Sequence, residues 1–176
     1  MDYKKIDLFD KIIFEKAVIK PPFKRPVPMH DEACFLHIRQ GAYHSYSEDE
    51  HIKITEKQSV LMKCGNYIGR MVAYSETGVY EAIAVHFYPD VLRKVYEDSL
   101  PDFLKKNNYS FNSNMVKLEA NILIEKYIEG LLFYFDTPQL ITEEILILKL
   151  KEIVLLLLQT ENAPKVIEIL SNLFTN

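Results

Sequence analysis

The chain is poor in cysteine and glycine and has no long apolar run, and each shortage removes a class of protein. Two cysteines in 176 residues cannot build a disulfide framework. Cys34 and Cys64 each lie in an apolar, strand-like run, where buried reduced thiols are expected. No Cys-x-x-Cys occurs, which excludes a zinc ribbon. Five glycines leave little backbone for a phosphate-cradling loop, and neither a Gly-x-Ser-x-Gly elbow nor a His-Glu-x-x-His pair is present. The greasiest segment, Ile153 to Leu158, is far shorter than the roughly 20 apolar residues of a bilayer span. The N-terminus, Met1-Asp2-Tyr3-Lys4-Lys5, alternates charge with hydrophobe and lacks the apolar core of a secretion signal. A cytoplasmic protein is expected.

Charge narrows the choice further. With 21 basic against 25 acidic residues the net charge is −4, which argues against a stand-alone nucleic-acid binder. Lys20, Lys24 and Arg25 are the nearest approach to a basic patch, and they fall in a proline-rich stretch where they serve to solvate a loop.

What is present divides by periodicity. Up to about Phe87 the chain reads as short strands: Lys11 to Ile19, Ala33 to Arg39, Ala42 to Ser47, His51 to Thr55, Ser59 to Lys63, Tyr67 to Tyr74 and Tyr80 to Phe87. Seven or eight short strands with close turn signals predict a sandwich or barrel. Pro21, Pro22, Pro26 and Pro28 crowd the segment from Lys20 to Asp31, which is expected to be an extended arm lying over the surface. Beyond Pro89 the spacing is helical. A long helix is predicted from about Met115 to Phe135 and a second from Thr142 to about Gln159, forming an antiparallel hairpin, with a short third helix near Pro164. Ile145, Leu146, Leu148 and the run Ile153 to Leu158 present more apolar surface than one hairpin contact buries, so a homodimer is expected.

Three segments carry a family resemblance. The stretch Gln58 to Gly65, then Val85-His86-Phe87 followed by Tyr88-Pro89-Asp90-Val91-Leu92, then Leu148 to Leu158 resemble, in that order, the N-terminal regulatory region of AraC/XylS transcription regulators. Together they span about Glu32 to Phe174. The resemblance implies an α+β fold: an N-terminal cupin-like antiparallel β-barrel that senses a signal, followed by a dimerising helical hairpin and a short C-terminal helix. The expected organisation is 1–31 as first strand and proline-rich arm, 32–88 as barrel, and 89–176 as helical dimerisation region. It also implies a DNA-binding half of about a hundred residues with two helix-turn-helix motifs. After Phe174-Thr175-Asn176 there is no room for one, so the expectation is a chain stopping at the linker, the alternative being a natural sensor-only relative. DNA contact is then expected only through that further domain.

No catalytic residue is expected, and neither a cofactor nor a metal. Metal-binding cupins pair His-x-His with a carboxylate and a later histidine, whereas none of His30, His37, His44, His51 and His86 are two apart. A metal-dependent cupin enzyme is the alternative reading, and a sensor governed by a protein partner is another. For a small-molecule effector the barrel mouth is the expected site, with His37, Tyr43, Met62, Tyr74, Tyr80 and His86 as ligand-binding candidates. On the last strand Tyr80, Ala82, Ala84 and His86 share one face and Ile83, Val85 and Phe87 the other, and the sequence leaves open which faces inward. For the dimer interface the candidates are Leu123, Tyr127, Leu131, Tyr134, Leu148 and Leu155.

Overall fold

A computed structural model describes residues 2–73, 78–105 and 108–175. Among the described residues ten strands form two antiparallel sheets. Sheet 1 runs in the order β1 (Asp2–Leu8), β2 (Lys11–Ile19), β9 (Tyr80–Phe87), β4 (Ala33–Gln40), β7 (Ser59–Met62), β10 (Met115–Leu118). Sheet 2 runs β3 (Phe23–Met29), β8 (Gly65–Val72), β5 (Ala42–Tyr46), β6 (His51–Ile54). The α+β class is as expected, with two facing sheets in place of a closed barrel. Gly41, at φ +86°, carries the chain from β4 to β5, and a Cβ there would strike the Val72 carbonyl.

Sheet 1 is covered on both faces, which explains why β7 is buried at all four positions. One face looks across to sheet 2. The other packs against α1 (Pro89–Val95), α2 (Asp102–Lys105), α3 (Ile122–Asp136), α4 (Glu143–Leu157) and α5 (Ala163–Ser171). Phe35, Leu61, Ile83, Val85 and Phe87 meet Leu92, Leu131, Leu150 and Ile153 in this core. Asn121 caps α3 by accepting from the Leu123 and Ile124 amides, and Thr142 caps α4 by accepting from Ile145. Among the described residues no helix is long and apolar enough to cross a membrane.

Three expectations need correction. The proline-rich segment is not a surface arm: Phe23–Met29 pairs with β8 along its whole length. It does so as an edge strand, and Pro26 and Pro28 are tolerated where one side of the strand needs no ladder donor. With β1 and β2 in sheet 1 as well, most of residues 2–29 belongs to the sheets. The long helix does not begin at Met115, because Met115–Leu118 pairs with β7 as an edge strand and α3 starts at Ile122. Cys64 is exposed beside the β8 turn, while Cys34 is buried.

The hairpin also takes up part of the apolar surface assigned to a partner. Tyr127 and Leu131 are buried in the chain's own core, where the Tyr127 hydroxyl donates to the Lys149 carbonyl at 2.6 Å, and Tyr134 is half-buried. Neither Tyr127 nor Leu131 can face a second chain. Leu123, Leu148 and Leu155 are exposed at 43%, 65% and 55%, joined by Phe133 at 53%.

Candidate functional site

Between the two sheets lies a cavity of about 500 Å³. Sheet 1 supplies Cys34 and Leu36 from β4, Met62 from β7, and Tyr80, Ala82, Ala84 and His86 from β9. The choice between β9 faces is thereby made: the face with two alanines leaves the space. Ala17 and Ile19 of β2 extend the wall, and β3 closes the opposite side with Phe23, Arg25 and Val27. Tyr43 and Met71 complete it from sheet 2. The Tyr43 ring crosses β8 at Gly69, where a Cβ would collide with the tyrosine hydroxyl.

One end of the cavity is polar. His86 lies between two carboxylates, its Nε2 3.0 Å from Glu15 and its Nδ1 3.1 Å from Glu32. Cys34 faces His86 directly across the β4–β9 ladder. Burial works against a charged ring, but Cys34, Glu15 and Glu32 outweigh it and raise the His86 pKa well above the histidine range. Burial likewise opposes ionisation of Glu15, and His86, Arg25 and Tyr3 overcome it, holding this carboxylate below its usual pKa. At neutral pH His86 is therefore an imidazolium beside an ionised Glu15. Burial pushes the Tyr43 and Tyr80 phenols up, so both remain neutral donors, and their rings lie 6.5 Å apart. Arg25, exposed, lines the cavity, and its charge is felt at Glu15, Tyr43 and Tyr80. Such a box suits a mostly apolar molecule with one anionic or hydrogen-bond-accepting end.

Of the six ligand-binding candidates, Tyr43, Met62, Tyr80 and His86 line the cavity. His37 does not: it sits on the opposite face from Cys34 and Leu36, and its Nδ1 is 2.8 Å from the Ser59 hydroxyl. Tyr74 lies outside the described residues. Sequence reasoning missed Tyr3 because β1 went unread, Glu15 because nothing local marked the cavity side of β2, and Arg25 because prolines made β3 look like an arm. The signal for β3 was its alternation: Phe23, Arg25, Val27 and Met29 share one face, with Pro26 and Pro28 on the other. Among the described residues no group of three His, Cys, Asp or Glu side chains is placed to hold a metal ion.

Residues 33–169 match the ExsA N-terminal regulatory domain. The chain belongs to this family. It is an AraC-type regulatory domain, as the order of its motifs implied. The fold of this ExsA-type domain is similar to that of ToxT from Vibrio cholerae in two solved structures. One, of wild-type ToxT with an unsaturated fatty acid bound, shares 13% identity at a TM-score of 0.56 over 84% of this chain and 54% of that one. The other, of ToxT bound to (E)-4-(8-methylnaphthalen-1-yl)but-3-enoic acid, shares 10% identity at a TM-score of 0.53 over 84% of this chain and 57% of that one. The ExsA-type domain thus spans little more than half the length of these structures. No curated protein sequence matches it.

Proposed function

We propose that the domain senses a small, largely apolar effector with an anionic end, held between its sheets and oriented by Arg25. The observation that carries this reading is the cavity of about 500 Å³, inside the 300–1,000 Å³ range of small-molecule sites, with largely apolar walls and Arg25, Glu15 and His86 among its lining residues. A core filled by side chains would have favoured a protein signal. Both ligands named in the ToxT structures are acids with apolar bodies, which is the chemistry the Arg25 rim and the walls accommodate. Occupancy would act on β9, whose other face carries the helices, and so reach a DNA-reading half beyond this chain. A domain with that output works where the DNA is, in the cytoplasm.

Calorimetry with oleate and with the methylnaphthalenyl butenoate tests the reading. One molecule per chain is expected, with Arg25→Ala weakening binding about tenfold, or roughly 1.4 kcal/mol. Absence of binding by both acids would sink it.

A homodimer through the α3–α4 surface accompanies this proposal. Leu148 and Leu155 stand two helical turns apart on α4, more than half exposed, and Leu123 and Phe133 of α3 are exposed as well. Sedimentation should show a dimer that Leu148→Glu with Leu155→Glu converts to monomer. A wild-type chain that stays monomeric at high concentration contradicts it.

A further inference from the structure

The cavity wall holds a nucleophile that the effector reading leaves unused. Cys34 of β4 lines the cavity and is 6% exposed. Its Sγ makes one long hydrogen bond, 3.7 Å to the Phe35 carbonyl, and a thiol is a weak donor, so the sulfur is lightly held. Cys34 pairs directly with His86 on β9. Cross-strand partners stand about 4.5–5.5 Å apart at Cβ, and these two line the same cavity. Glu15 and Glu32 engage the two ring nitrogens of His86, which fixes the imidazolium beside the sulfur.

Three further observations bring a ligand within reach of that sulfur. On the cavity face of β9, Ala84 and Ala82 follow His86, and Ala17 is the direct partner of Ala82, so this wall is trimmed to methyl groups. After burial, the groups acting on the Tyr43 and Tyr80 phenols include both Cys34 and Arg25, so thiol and guanidinium face one space. Tyr3 and Phe23, each 44% exposed, also line the cavity, which gives a solute a way in.

We propose that Cys34 captures the effector covalently, the ligand class being an apolar acid that carries a carbon–carbon double bond conjugated to a carbonyl group. This rests on the effector reading above and narrows it. The walls take the apolar body, Arg25 takes the acid, and the sulfur meets the β carbon of the alkene. His86 supplies a fixed positive charge beside the sulfur, where negative charge grows as the thiol gives up its proton. The Sγ–carbon bond forms as the π bond breaks, and the released electron pair moves towards the carbonyl. The proton lost from sulfur to water is matched by one that water returns to the α carbon. Nothing is oxidised or reduced, and no co-reactant is consumed. Cys64 is exposed and lines no part of this cavity, which makes it an internal reference.

The probe is (E)-4-oxo-4-phenylbut-2-enoic acid, an apolar acid with a conjugated enone. Mass spectrometry of the intact chain and its peptides should show the adduct on Cys34, forming about tenfold faster than on Cys64. Iodoacetamide, which has neither apolar body nor acid, should show the reverse order and alkylate Cys64 first. Bound oleate should slow the Cys34 adduct and leave the Cys64 rate unchanged. Cys34→Ser should lose the fast adduct and still bind oleate. His86→Gln should slow the reaction at Cys34 about tenfold, and where that chain does not fold, Ala84→Leu, which fills the wall beside the sulfur, should do the same. Reaction of the enone at Cys64 before Cys34, or a Cys34 rate unchanged by bound oleate, would overturn the proposal. Oleate bound in calorimetry with Cys34 left unmodified by the enone would overturn this inference alone and leave the effector reading standing. A fast Cys34 adduct in a chain that binds neither oleate nor the methylnaphthalenyl butenoate would support capture and count against the effector reading.

Discussion

Along β9 alternate residues live in opposite surroundings. Ile83, Val85 and Phe87 meet the helices and have no exposed surface, whereas Ala82 and Ala84, between Tyr80 and His86, look across a gap towards sheet 2. One strand therefore joins a solid core to a cavity. A rigid, filled side transmits displacement because close-packed interiors do not deform smoothly, and a side left open gives an effector somewhere to push. The difference is made by side-chain volume alone, since both faces belong to the same ladder.

Four measurements would break or sharpen this contrast. The largest effect is expected on the filled side, where Phe87→Ala should cost about 3–5 kcal/mol in chemical denaturation. A cost below about 1 kcal/mol would mean that the helix-side core is loose.

Next comes acid. Burial, with help from Arg39, pushes the His37 pKa down to about 4 from 6.5. The unfolded chain takes up this proton near pH 6.5 and the folded chain resists until about pH 4, so stability falls as the pH drops through that window. The loss attributable to His37 is up to about 3 kcal/mol. His44, also depressed by burial, contributes in the same direction, so the difference between wild type and His37→Gln isolates the His37 share. The glutamine should flatten the profile while keeping a partner for Ser59. Glu15 acts in the same direction only at lower pH, its depressed pKa adding stability that is lost as the carboxylate protonates.

On the open side, Ala84→Leu should fill space instead of straining it. Oleate affinity should fall at least tenfold, about 1.4 kcal/mol, with stability changed by less than about 1 kcal/mol. A large destabilisation with binding intact would show that the gap is not the effector site. The smallest stability effect belongs to Leu148→Glu and Leu155→Glu. Each should move the denaturation midpoint of the monomer by no more than about 0.5 kcal/mol equivalent, their consequence being oligomeric state.

Much of this was legible in the residues. The strands from Lys11 to Ile19 and from Ala33 to Phe87 match those expected to within a few residues, because alternation and glycine or polar turns are local signals. Thr142 marks a helix start by side-chain chemistry, which is also local, whereas the cap Asn121 was passed over because the apolar spacing of Met115 to Leu118 mimicked an extra helical turn. The alternation of Met115, Val116, Lys117 and Leu118 has meaning only beside β7, a partner more than fifty residues earlier. Half of the cavity was hidden for a similar reason. Tyr3, Glu15 and Arg25 have no motif, and they reach the site only because β1, β2 and β3 join sheets whose other members come later in the chain.

Amino-acid order by itself determined the strand-then-helix division, the two faces of β9, the caps of the long helices and the motif order that marks the family. Each depends on neighbours within a few positions, where backbone sterics and side-chain period decide. Only the folded arrangement decided which β9 face borders the cavity, that His86 lies between Glu15 and Glu32, and that Tyr127 and Leu131 belong to the chain's own core. These are consequences of strand register between distant segments, and register is set by the burial of whole faces together, which no local window contains.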